Sequence, residues 1–491
     1  MHTHGHIHTA RKGCHISRLP TEILCDIFLN YLNIPSQDAP NNAATPNWEL
    51  LWHHKAPYVS EYSVSDPGVL TQVCSAWRKA ALGYPALWSR LLIIGPLSKL
   101  HVKMMDLWLE RADGHCLDLT FKVVTLKPNN PLAIDVLQSF FAHSEAWRRI
   151  TLEVDWPLLD LMSDLTESSA PCVNLEFAGF AIPDWWPHHR TFPVVENIWK
   201  FFYSSPLLKK IVLPPLNNDA LLPHTPTTQL VSVILWSYGT IADLLLVIRC
   251  CPLLEEVQTK QMEEVSRPGT FTQDPITHQT LQRLIIAAAP AADLDKFFGA
   301  ITLPSLKSLG LTCTTPQLSA FSRFLRRSDC QLQELTLGIG GELESYIRLE
   351  ELSTLTVFRV TKAAVTDGAV ELLLERRRES SGGFRFLPHL RVLHLSDWQA
   401  SDGMLSRFFA ARSCVPVKLG DYMTMVLPDE TRPSVPSLSG PEPVQGQVAF
   451  SFFPLPDGPI DSGFLKRNYQ WLSEVYKWIT LCKMLRAVCL R

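Results

Sequence analysis

Apolar residues recur along this chain in two rhythms. The first is helical. From Leu19 to Leu32 the sequence LPTEILCDIFLNYL places Ile23, Leu24, Ile27, Phe28 and Tyr31 at spacings of 1, 3, 1 and 3, the stripe of an amphipathic helix. Pro20 suits its first turn, since its φ is already helical and its missing N–H is not needed there, and Glu22 favours the positive end of the helix dipole. The pattern predicts a second helix over about Val69 to Leu82, with Leu70, Val73, Cys74, Trp77 and Ala81 on one face. Tyr84-Pro85 stops it, because proline pushes its predecessor out of helical geometry. Leu91 to Ile94 reads as a strand. A third helix follows over Leu97 to Arg111, with Leu100, Met104, Leu107 and Trp108 sharing a face, and Cys116 to Phe121 alternates as a strand does.

The second rhythm is a repeat. Its unit is an apolar residue, two variable residues, an apolar residue, one variable residue and an apolar residue. It occurs at Trp147-Ile150-Leu152, Cys172-Leu175-Phe177, Leu208-Ile211-Leu213, Leu230-Val233-Leu235 and Leu254-Val257-Thr259. It continues at Leu281-Leu284-Ile286, Leu306-Leu309-Leu311, Leu332-Leu335-Leu337, Leu355-Phe358-Val360 and Leu390-Leu393-Leu395. Seven of the nine steps between first positions fall between 22 and 27 residues, and the other two are 35 and 36. That period resembles irregular leucine-rich repeats, although no Asn occupies the usual ladder position after the strands. Helical stretches such as Ala242 to Cys250, Leu318 to Arg327 and Gly368 to Arg378 lie between units. The expectation is an α/β repeat fold, an irregular leucine-rich-repeat solenoid over 95–425, whose strands point alternate residues outward. On that outward wall fall Arg149, Thr151, Lys210, Ser232, Ile234, Trp236, Glu256, Gln258, Arg283, Ile285, Glu334, Thr336, Arg359 and His394. The mixture has no dominant charge and suits a protein partner better than a polyanion. Arg376-Arg377-Arg378 sits among Glu371, Glu375 and Glu379, so it reads as a solvated helix end rather than a phosphate site.

Composition adds limits. The chain has 491 residues, a formal charge of -3 and 46% hydrophobic residues, as a folded multi-part protein would. The balance points neither to nucleic acid nor to membrane insertion, and no apolar run approaches the roughly 18–20 residues that span a bilayer. The start, MHTHGHIHTARKGCH, lacks the apolar core of a secretory signal, and the 12 cysteines are scattered without a Cys-x-x-Cys, so reduced thiols in a cytoplasmic or nuclear setting are expected. Residues 1–15 read as a His-rich flexible tail, with metal chelation by His2, His4, His6, His8 and His15 as the alternative. The insert at 33–68 has loop composition around an apolar knot, Trp48, Leu50, Leu51 and Trp52. Residues 426–463, with Phe450, Phe452 and Phe453, read as a Pro/Ser/Gly-rich linker or cap loop. Residues 464–491 read as an amphipathic helix that caps the array, or meets a membrane surface or partner through its basic face. The chain carries no Gly-x-Ser-x-Gly, Walker loop, dinucleotide fingerprint or His-Glu-x-x-His. Neither an enzyme nor a cofactor or metal is therefore expected.

Three fragments in order, Leu19-Pro20-x-Glu22-Ile23-Leu24-x-x-Ile27-Phe28, Val73-Cys74-x-x-Trp77-Arg78 and Pro85-Ala86-Leu87-Trp88, resemble an F-box of the type common in large fungal families. The insert at 33–68 is a departure from the minimal motif. The resemblance implies an all-helical F-box-like domain over 16–94 that docks a Skp-type adaptor and, through it, a cullin-RING ubiquitin ligase. Carried onto this sequence, the adaptor-binding residues are Leu19, Pro20, Ile23, Leu24, Ile27, Phe28, Val73, Cys74, Trp77, Leu87 and Trp88. The outward wall, with Arg149, Lys210, Trp236, Glu256, Arg283, Glu334, Arg359 and His394 foremost, would hold a protein substrate. The protein would then be a non-catalytic subunit of ubiquitin-dependent degradation. The competing reading is an interaction scaffold with no ligase role, its N-terminal helices serving as a cap.

Overall fold

In the computed structural model the apolar units fall on short strands, and each of these strands lies beside that of the next unit. The structure describes residues 19–33, 67–94, 97–123, 130–182, 192–213, 225–235, 240–259, 275–287, 291–311, 317–338, 343–377, 383–412, 415–419 and 422–426. All of these belong to one of the two units into which the chain divides, Met1–Ser36 with Asn41–Pro428; the other, Gln37–Pro40 with Asp429–Arg491, lies outside the described residues. Also outside them are the His-rich start, most of the insert, Trp236 and the C-terminal segment expected to be helical.

The first part runs α1 (Thr21–Asn33), α2 (Pro67–Leu70), α3 (Ser75–Leu82), β1 (Arg90–Ile94), α4 (Lys99–Ala112), β2 (Leu117–Val123), α5 (Pro131–Ala142) and β3 (Trp147–Val154). The middle runs α6 (Leu159–Ser168), β4 (Phe177–Ala181), α7 (Phe192–Tyr203), β5 (Lys210–Leu213), β6 (Ser232–Leu235), α8 (Ile241–Cys250), β7 (Glu256–Thr259), β8 (Ile276–Thr277) and β9 (Arg283–Ile286). The last part runs α9 (Ala291–Ala300), β10 (Ile301–Thr302), β11 (Ser308–Leu311), α10 (Leu318–Ser328), β12 (Glu334–Leu337), α11 (Leu343–Ile347), β13 (Val357–Val365), α12 (Asp367–Leu374), β14 (Val392–Trp398), α13 (Asp402–Arg412), β15 (Val415–Leu419) and β16 (Tyr422–Val426).

Fourteen of these strands make one sheet, ordered β1-β2-β3-β4-β5-β6-β7-β9-β11-β12-β13-β14-β16-β15. The first twelve pair in parallel; β16 and β15 close the far edge as an antiparallel hairpin. The expectation of an all-helical F-box followed by a leucine-rich-repeat solenoid is corrected here; the C-terminal helix expected with them lies outside the described residues. The chain forms an α/β fold around a single large, mainly parallel sheet. The physical reason starts at β1. Leu91, Leu92 and Ile93 are all buried, and their backbone is satisfied by parallel pairing with β2 from Arg90↔Asp118 to Ile94↔Lys122. The N-terminal helices therefore do not close on themselves: Leu24, Phe28 and Trp88 lie in the same core cluster as Leu119, Ile150 and Leu393.

Register builds that core. Leu91, Leu119, Ile150, Ala178, Ile211, Val233, Val257, Leu284, Leu309, Leu335, Phe358 and Leu393 form one continuous row across twelve strands. The helices pack on this row and on the parallel row two residues further on. At the starts of the main-sheet strands from β5 to β14 two successive N–H groups share one carbonyl: Lys209 and Lys210 donate to Glu176 O, Val231 and Ser232 to Lys209 O, and so on to Arg391 and Val392 on Thr356 O. Hydroxyls tie the turns beneath: Ser205 donates to Leu175 O at 2.8 Å, Thr280 to Leu254 O at 2.9 Å and Thr354 to Leu332 O at 2.9 Å.

Three details differ from the expected pattern. The helix expected over Val69 to Leu82 is broken, because Cys74 is extended and its sulfur accepts from Trp77 N at 3.5 Å, which starts α3 afresh. Its apolar residues therefore do not share a face: Leu70 and Ala81 are buried, whereas Val73 is 57% exposed. In α4 the inward residues are Met105, Trp108, Leu109 and Ala112, while Leu100 faces out. Finally, Phe177 is not a core residue of its unit. The inward pair in β4 is Ala178 and Phe180, in register with Ile150 and Leu152, so the true frame is Leu175-Ala178-Phe180 and Phe177 lies on the opposite face.

Candidate functional site

Two surfaces of this unit hold the residues picked out from sequence. The first is the N-terminal helical corner. Leu24 and Phe28 point inward from α1, and the Phe28 ring meets Trp77 of α3 with centroids 4.8 Å apart. Leu87 and Trp88 are buried as well. The Trp88 indole donates to Ala81 O at 2.8 Å, meets Trp108 edge-on at 5.0 Å, and has Arg111 over its ring at 4.4 Å. These four side chains join the corner to the sheet. Leu19, Ile27 and Trp77 are half-buried, and Pro20, Ile23, Val73 and Cys74 are exposed. Val69 and Leu82, which the motif did not single out, are exposed beside them. Of the eight large apolar side chains exposed among the described residues, five (Ile23, Val69, Val73, Leu82 and Leu100) lie between residues 23 and 100. Exposed large apolar side chains concentrated in one stretch of the chain mark a candidate association surface.

The second surface is the sheet face that carries no described helix. Arg149, Phe177, Lys210, Ser232, Glu256, Arg283, Ser308 and Glu334 stand in one register row, and Arg359 and His394 in the row two residues on. Trp236 lies outside the described residues. The repeat pattern placed these residues on one wall; register fixes which of them stand side by side. Most of the charges neutralise one another: Arg283 with Glu256 at 3.7 Å, Arg359 with Glu334 at 3.9 Å, and Lys122 with Glu153 at 3.6 Å. Asp118 takes two arginines, Arg90 at 3.6 Å and a bidentate Arg148 at 2.9 and 2.7 Å. Ser232 and Gln258 also donate to Glu256, at 3.2 and 2.8 Å. Beneath this polar layer Phe177, Ala181, Val212 and Ile234 make a small apolar cluster of their own, with the Arg149 guanidinium 4.4 Å over the Phe177 ring. Burial lowers the pKa of Arg149 against the raising pull of Asp118, and burial with the nearby Arg359 charge holds His394 below the ordinary histidine value.

Burial pushes the Cys172 thiol up to about 11, Cys251 to about 12 and Cys330 to about 11, the reverse of what a nucleophilic thiolate needs. Among the described residues no three His, Cys, Asp or Glu side chains converge as a metal site, and no helix is long and apolar enough to cross a membrane. Arg376 and Arg377 lie beyond the end of α12 rather than on it, with Arg376 over the Phe384 ring at 5.2 Å. A scan against protein-family models and a search of curated proteins both find no match for this chain.

Proposed function

We propose that this chain is a non-catalytic, substrate-binding subunit of a cullin-RING ubiquitin ligase. In this reading the corner built from Leu19 to Trp88 holds a Skp-type adaptor, and the sheet face that carries Arg149 and Lys210 holds a protein substrate. The observation that carries it is the concentration of exposed apolar side chains, Ile23, Val69, Val73 and Leu82, in the same segments that bear the F-box-like motif. The chemistry on this view belongs to other subunits, and this protein supplies proximity.

A second reading is favoured by Leu24, Phe28, Leu87 and Trp88. They are buried in the sheet's own core, as the residues of a cap that serves only the fold would be. On that view the protein is an interaction scaffold outside any ligase. The residues that separate the two are therefore the exposed ones. Full-length chain carrying Ile23→Asp and Val73→Asp is tested for co-purification with a Skp-type adaptor beside the unaltered chain. Capture of the unaltered chain and loss of at least tenfold in the variant, with an unchanged melting temperature, is the expected result. No capture of either, or equal capture of both, refutes the adaptor reading. Removing everything up to Ile94 is a poorer test, because it also strips β1 and Trp88 from the core.

A further inference from the structure

Among the described residues, the sheet face is internally neutralised except in one place. Across its rows the described charges meet opposite charges within 4 Å, but neither the Arg149 guanidinium nor the Lys210 ammonium reaches a carboxylate at that distance. The two belong to β3 and β5, on either side of Phe177 in β4, in direct register. Two strand spacings set their backbones about 9–10 Å apart. Phe177 holds Arg149 from below at 4.4 Å, so the guanidinium is placed rather than swinging freely. The surroundings are cationic: Arg90 and Arg148 both spend their charge on the single carboxylate of Asp118, and Glu176 is the other carboxylate close enough to act on Arg149. Among the described residues, the four cations Arg90, Arg148, Arg149 and Lys210 thus face the two carboxylates of Asp118 and Glu176, on a chain whose formal charge is -3.

We infer that Arg149 and Lys210 form the anchor for an acidic segment of a protein partner, an extended stretch carrying two or more Asp or Glu carboxylates. In such a segment, same-face side chains recur about every 7 Å, within reach of both long cations. Arg149 offers a planar fork that suits one carboxylate in bidentate fashion, and Lys210 a point charge for the next. This assignment rests on the reading of the sheet face as the partner surface, and it does not depend on adaptor binding.

The probe is a fluorescent hexaglutamate peptide, with hexaglutamine, a phosphoserine-containing glutamine peptide and a six-nucleotide oligothymidine as comparisons. Binding to the full chain is read by anisotropy at low and physiological salt. Hexaglutamate should bind, weaken with salt, and lose about tenfold in affinity in Arg149→Gln and again in Lys210→Gln, since each removes a charge-assisted contact. Arg283→Gln, which breaks a pair elsewhere on the face, should leave it unchanged. Lys210 is exposed, so its variant reads binding without disturbing the fold if the Arg149 variant melts early. Absence of hexaglutamate binding, indifference to both substitutions, or equal binding of oligothymidine overturns the inference, as does preference for the phosphoserine peptide alone. Peptide failure with intact adaptor capture sinks only this site; adaptor failure with peptide binding sinks only the ligase reading.

Discussion

Arg412 offers the sharpest test of how the sheet's far end is held. Its side chain is 5% exposed in the last turn of α13. Nε and Nη2 donate to Leu373 O at 3.1 and 2.6 Å, Nη1 donates to Leu387 O at 3.3 Å, and Nη2 also donates to Phe386 O at 3.2 Å. The guanidinium lies 3.8 Å over the Phe384 ring. One side chain thus satisfies the C-terminal carbonyl of α12 and two carbonyls of the turn that feeds β14. Arg412→Met keeps the stem and removes the fork, leaving Leu373 O and Phe386 O without their donor, while Leu387 O keeps the Leu390 N–H at 3.2 Å. A buried group left unsatisfied costs about 1–3 kcal/mol, so a loss of about 3–5 kcal/mol is expected after relaxation and water entry at the turn. Arg412→Lys should recover only part, since an ammonium cannot reproduce the fork. Hydrogen exchange reads the effect locally, at the Arg377 amide on Gly383 O and the Arg385 amide on Glu375 O, and urea unfolding reads it globally. A methionine variant within 1 kcal/mol of the unaltered protein, with unchanged protection at both amides, would refute the reasoning.

Two further outcomes follow from burial. His394 has its pKa lowered by burial, with Arg359 adding to the effect, so the unfolded chain binds a proton that the folded one resists. Its contribution to stability is therefore full above the unfolded histidine value of about 6.5 and is lost as pH falls below it. Melting temperature should drop more steeply from pH 7.5 to 5.5 in the unaltered chain than in His394→Gln, and parallel slopes would contradict this. Among the described cysteines, iodoacetamide at pH 8 should label exposed Cys74 and Cys116 first and spare Cys172 and Cys251, whose burial raises their pKa. Peptide mapping in which Cys251 leads would show that α8 opens readily.

The strand positions were readable because one row of side chains must be apolar in every unit, and Leu284, Leu309 and Leu335 advertise it. The error at Phe177 has a definite cause. The run Phe177-Ala178-Gly179-Phe180-Ala181 is buried throughout, so it has no alternation, and the largest apolar residue drew the frame to itself. Period alone cannot choose a face where both faces are apolar. The break before α3 was hidden for another reason: a cysteine seldom starts a helix, and only the geometry reveals its sulfur taking the Trp77 amide. The continuity of β1 with the sheet was hidden by the motif itself. Reading Pro85 to Ile94 as the end of a helical domain obscured that Leu91 and Ile93 continue the same rows as Leu119 and Phe121.

The charge map was the least legible part. Asp118 and Arg148 are 30 residues apart, Glu256 and Arg283 are 27 apart, and only in-register parallel pairing puts them side by side. From composition the outward wall is a mixture without dominant sign. With register known, cancellation becomes specific: each pair removes a possible anchor, and what survives is Arg149 with Lys210. The two surfaces consequently predict opposite responses to salt. Association through Ile23 and Val73 buries apolar area and should tolerate, or gain from, added salt, whereas association through Arg149 and Lys210 should weaken as the Debye length shrinks from about 10 Å at 0.1 M to about 3 Å at 1 M. A single partner whose binding followed both trends would have to touch both surfaces. Two partners that each followed one would assign the corner and the sheet face to separate tasks.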